Sequence, residues 1–186
     1  MSSSGDALAS FAGPAGVGAL SLLGAFLFLD GRAPDLFPTI EQYAKTSTWS
    51  VVAAVPVLAV SFVLGLSLMV ASERALTSLW GPSLTSQAAD LAELTVLVKE
   101  SPAAQAYLES LRNRAVLGGG SVAMLILAIG ALSDMGNLPH LRGVVAIAAL
   151  ATVVAAVAAG YLAIREGHKA HEIALAVAAT SAKRSK

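Results

Sequence analysis

Four stretches of this chain contain no Asp, Glu, Lys or Arg, and each is long enough to cross a bilayer. They run from Ala7 to Leu29, Thr46 to Ser72, Ala115 to Ser133 and Gly143 to Ile164. A membrane-spanning helix needs about 20 mostly apolar residues at a rise of about 1.5 Å each. Only 13% of the chain is charged and 56% is hydrophobic, whereas a soluble domain carries about 25% charged residues. Charge is confined to the connections, as insertion into lipid requires.

These blocks predict an all-α, polytopic membrane protein. Residues 1–72 hold spans one and two, joined by an extracytoplasmic connection over 30–45. Residues 73–114 form a cytoplasmic helical hairpin, 115–164 hold spans three and four, and 165–186 form a cytoplasmic tail. Met1 to Ser10 contain no Lys or Arg, so the first block reads as a retained span rather than a cleaved leader.

Orientation follows from the basic residues. Arg74, Lys99, Arg112, Arg114, Arg165, Lys169, Lys183, Arg184 and Lys186 fall on one side, against Arg32, Lys45 and Arg142 on the other. Positive residues favour the cytoplasm. This places both termini and the 73–114 segment inside, with the inner (plasma) membrane as the expected location.

Local signals refine the connections. Gly136, Asn137 and Pro139 mark a tight turn between spans three and four, which makes those spans antiparallel neighbours. Span two is expected to continue to Leu79 before Gly81-Pro82 stops it. Leu84, Leu91 and Val98 then share a helical stripe. Ser101-Pro102 restarts a helix, with Ser as N-cap and Pro at the first helical position. Tyr107 and Leu111 follow, on an arm continuous with span three. Pro56 removes one backbone bond and predicts a kink near Val52. The segment from Arg165 extends span four, with a basic tip at its end that can meet anionic lipid.

Lipid offers no hydrophobic drive between spans, so small residues govern their association. Span four carries Ala148, Thr152, Ala156 and Gly160 at four-residue spacing, beside a second row of Ala151, Ala155, Ala159 and Ala163. Gly16 and Gly24 in span one and Gly119 in span three complete the predicted packing set. Such rows serve packing inside one chain or association between chains, and two adjacent small faces on one span favour a homo-oligomer or a membrane partner.

The chemistry-bearing residues point away from catalysis. Polar side chains deep within the predicted spans are limited to Ser21, Ser61, Ser67, Ser121 and Thr152, each able to bond its own helix. A coupled transporter marks its path with ionisable groups, and a hydrolase needs a paired base and nucleophile. His168, His171 and Glu172 have ligand-like spacing but no third strong ligand nearby, so a solvated helix face is the simpler reading. His140 falls in the extracytoplasmic turn, where a surface position is a simpler reading than a pH sensor. Glu73, Arg74, Arg112, Asn113, Arg114, Arg165 and Glu166 gather at the ends of spans, either as depth-fixing anchors or as an inter-helix ion network. Zero formal net charge offers no bulk attraction to nucleic acid, and no cofactor is expected.

In topology alone the layout resembles the flagellar-stator family: two spans, a cytoplasmic helical insertion, two more spans, both termini inside. That resemblance implies ring subunits around a partner that carries the proton-binding carboxylate. The insertion here is far shorter and no motif matches residue by residue, so the chain is not assigned to that family.

The expected function is therefore that of a non-catalytic membrane protein that oligomerises as a scaffold, sensor or complex subunit. Its hairpin, through Leu84, Leu91, Val98, Tyr107 and Leu111, would dock a cytoplasmic partner. The alternative is a pore lined by Ser61, Ser121 and Thr152.

Overall fold

A computed structural model describes residues 3–32, 47–80, 102–137 and 139–184. Four long helices account for nearly all of them: α1 (Ser3–Arg32), α2 (Ser47–Trp80), α3 (Pro102–Asp134) and α4 (Arg142–Arg184). A turn at 135–137 and a 3-10 helix over Pro139–Leu141 join α3 to α4. All four helices are long and apolar enough to cross a membrane, over Phe11–Arg32, Ala54–Leu76, Gln105–Asp134 and Pro139–Ile173. They fit an integral, multi-pass membrane protein.

Helix limits follow the local chemistry. The second helix runs past the charged pair at 73–74 as far as Trp80, and α3 opens on Pro102, whose missing N–H is no loss at a first helical position. Both Pro14 and Pro56 lie inside their helices. The 43 residues of α4 make a rod about 65 Å long. That is twice the hydrocarbon thickness of about 30 Å, so its C-terminal part extends beyond any bilayer that holds the rest. The first helix takes in residues 30–32 of the predicted first connection; the rest of that connection, 33–45, and the stripe Leu84, Leu91 and Val98 lie outside the described residues.

Contacts fix the arrangement. Pro14 and Gly18 of α1 meet Gly65 and Ser61 of α2, and Phe11 stacks on Phe62 at 5.0 Å between ring centroids; the two helices are antiparallel. Gly13 approaches Val116, Gly24 approaches Leu127 and Gly130, and Gly31 approaches Ser133, so α1 and α3 run parallel. Met69 and Ser72 of α2 lie on Gly119 and Gly118 of α3. The third helix is therefore central. It touches all the others, whereas α4 packs chiefly against α3 alone.

The interior is made of the smallest residues. Among the described side chains that are buried are Ser21, Ser61, Ser72, Ser110, Ala123, Ala128, Ala149, Ala156, Ala163 and Ala170, with Val17 and Tyr107 the larger ones. Exposed positions include Phe26, Leu58, Val63, Ile129, Val144, Ile147, Leu150 and Val157. A water-soluble bundle sorts side chains the other way, with Leu, Ile and Phe inside. Lipid reverses the order, because large apolar groups lose nothing by facing it and small ones let backbones approach.

The α3–α4 seam corrects one feature of the predicted pattern. The buried alanines of α4 are Ala149, Ala156, Ala163 and Ala170, spaced by seven. They cut across both four-residue rows, leaving Ala148, Ala151 and Ala155 exposed. A four-residue row drifts around a helix of 3.6 residues per turn, while a seven-residue repeat keeps to one side of a gently supercoiled pair.

Candidate functional site

Apart from Ser121 in the α3–α4 seam, the described polar groups that join helices gather at the two ends of the bundle. At the turn end, Asn137 donates from Nδ2 to the Asp30 carbonyl at 3.2 Å and to Asp134 Oδ1 at 3.0 Å. Its own N–H donates to the Asp134 carbonyl at 2.9 Å. The predicted turn thus ties the end of α1 to the end of α3, and the nearly buried Asp134 carboxylate has a partner.

At the opposite end, three helices meet through charge. Arg114 Nε of α3 lies 3.3 Å from Glu73 Oε2 of α2, with side chains 12% and 29% exposed respectively. The Arg114 guanidinium also crosses Gly167 of α4, where an added Cβ would come within 2.9 Å of Nη1. Ser110, one helical turn earlier on α3, has its hydroxyl 3.0 Å from the Glu166 carbonyl and 2.8 Å from Glu166 Oε2. Lys169 Nζ stands 3.8 Å from the same carboxylate oxygen. Residues 110, 114, 73 and 166–167 therefore form a clamp over α2, α3 and α4.

Of the charged residues singled out in the sequence, this clamp brings together Glu73, Arg114 and Glu166. Arg112 and Asn113 stand exposed beside it, with Arg74 and Arg165 also exposed. Tyr107, expected on a docking surface, is only 5% exposed. It packs within the chain on the same flank of α3 as Ser110 and Arg114, and Leu111 is half-buried. His168, His171 and Glu172 are all exposed on α4.

The predicted packing set divides. Gly24 and Gly119 lie at close helix contacts, Ala156 is buried, and Gly160 faces Ser121 Oγ. Gly16 and Ala148 are exposed, and nothing would meet a Cβ on Gly16. The tightest crossing pairs Gly18 with Gly65, each lying against the carbonyl of Ser61 or Pro14. The sequence reading missed both. Gly65 carries a signal, a lone glycine among Phe62, Val63, Leu64 and Leu66, whereas Gly18 is hidden in a run of small residues beside Gly16.

Most of the intramembrane hydroxyls bond locally as anticipated: Ser21 to Val17, Ser61 to Val57, Ser67 to Val63 and Thr152 to Ala148, through carbonyls 2.7–2.9 Å away. Ser121 departs from that pattern. Its hydroxyl donates across the seam to the Ala156 carbonyl at 2.8 Å, because Gly160 leaves room for the approach. Ser61, Ser121 and Thr152 sit on three different helices, each with its hydroxyl hydrogen engaged by a carbonyl.

An open groove lies beside the clamp, between α1, α3 and α4. Gly13, Arg112, Asn113, Val116, Leu117 and Glu166 line it. Comparison of the chain with family models, with characterised proteins and with solved structures finds no match.

Proposed function

We propose that this chain is a non-catalytic subunit or scaffold that works by assembly within the inner membrane, with both termini inside. The observation that carries the reading is the one-sided packing of α4. One flank seats its alanine seam on α3, while Val144, Ile147, Leu150, Val154, Val157 and Tyr161 are left outward with Ala148, Ala151 and Ala155 among them. Small residues on a lipid-facing flank let a second helix come close enough for van der Waals contact. The engaged hydroxyls and the clamp fit a structural role, since neither offers a free base or nucleophile to a substrate. The 73–114 segment would carry any signal to a cytoplasmic protein through Leu84, Leu91 and Val98.

Subunit number tests this. Light scattering of the detergent-extracted chain should give a mass above one protomer. Ala151→Leu with Ala155→Leu should return it to one protomer without loss of helix content. A monomer in mild detergent and in native nanodiscs, unchanged by that double substitution, overturns the reading. Ion flux through liposomes holding this chain alone would favour the pore instead.

A further inference from the structure

We infer that the groove beside the clamp is a phospholipid site that selects a primary-ammonium zwitterion of the phosphatidylethanolamine class. Three observations converge. First, the groove carries both signs of charge: exposed Arg112 with Asn113 on α3, and Glu166 on α4. Arg and Asn suit phosphate oxygens as donors, and a carboxylate suits an ammonium two carbons away. Glu166 is held in place by Ser110, and its existing cationic neighbour Lys169, with a side chain 61% exposed, is a weak competitor.

Second, the groove lies where charge-free sequence begins on α3, at Ala115, which is headgroup depth for a chain in a bilayer. Third, glycines leave open space at the level next below it. Gly13 faces Val116 across the α1–α3 contact, so Gly16 and Gly120, three and four residues further on, share a level. A Cβ built on either meets nothing within 4 Å. Space left open by two glycines, below a headgroup-sized polar mouth, gives an acyl chain a furrow to lie in. A free phosphate would leave it empty.

The test uses the full chain, delipidated in detergent and offered dioleoyl phosphatidylethanolamine, phosphatidylcholine or phosphatidylglycerol, with retained lipid read by native mass spectrometry. Phosphatidylethanolamine should be retained best. Arg112→Gln should cut its retention about tenfold, as the loss of one charged hydrogen bond predicts. Glu166→Gln should erase the preference over phosphatidylcholine while keeping the acceptor for Ser110. Gly120→Leu should expel the lipid, and Gly16→Leu on the facing wall gives a second version should the first fold poorly. Equal retention of all three lipids, phosphatidylglycerol retained best, or both furrow variants binding as the parent does would overturn the site. Subunit number does not enter, so this inference and the assembly reading fail separately.

Discussion

Glycine has opposite meanings at positions only two residues apart. At Gly18 a Cβ would run into the Ser61 carbonyl, and at Gly65 into that of Pro14, so the α1–α2 crossing exists only while both lack side chains. Gly16 faces open space. Gly65→Ala must push α2 off α1 and should cost at least about 1–3 kcal/mol, the range for overpacking a close-fitted interior. Gly16→Ala should be neutral or raise stability, since Ala favours a helix interior over Gly by about 1 kcal/mol. Thermal midpoints of the two variants in one detergent check the pair, and a Gly65→Ala midpoint equal to the parent's would sink the crossing. Backbone approach of this kind also brings Cα–H groups toward carbonyls, a modest additional attraction.

At the scale of the element, α4 has two flanks with different tolerances. Ala163 is fully buried on the seam with α3, whereas Ala155 is exposed. Ala163→Leu should destabilise the bundle by about 1–3 kcal/mol and separate α4 from α3. Ala155→Leu should leave folding intact. Ser121→Ala removes one inter-helix hydrogen bond and should cost only about 0.6 kcal/mol, the average for such bonds inside a membrane. Chemical unfolding should show the largest loss for Ala163→Leu, a smaller one for Ser121→Ala and the least for Ala155→Leu, and a Ser121→Ala loss exceeding that of Ala163→Leu would contradict packing as the dominant force.

The whole molecule is a bundle with its bulk turned outward and its smallest side chains within. Its two ends are fastened differently, by Asn137 at the turn and by Glu73, Arg114, Ser110 and Glu166 opposite. The second set stands on the side richer in Lys and Arg, and that side should be cytoplasmic. The chain has no cysteine, so single cysteines report topology cleanly. His140→Cys should react with an impermeant maleimide in intact expressing cells. Lys186→Cys should react only after the membrane is opened. The reverse pattern would invert the orientation.

Length and charge exclusion made the four spans legible without coordinates, because the cost of placing charge in hydrocarbon acts on each segment by itself. The turn at 135–137 was legible for a related reason, since Gly and Asn act on their own backbone. Which small residues would meet was not. Ala149 and Ala170 lay outside the four-residue rows, Gly16 proved to face open space, and Ser110 found Glu166 fifty-six positions away. In a chain so rich in alanine and glycine, many pairings satisfy the same local pattern. Only the mutual rotation of whole helices decides among them, and that rotation is set by every contact along their length at once.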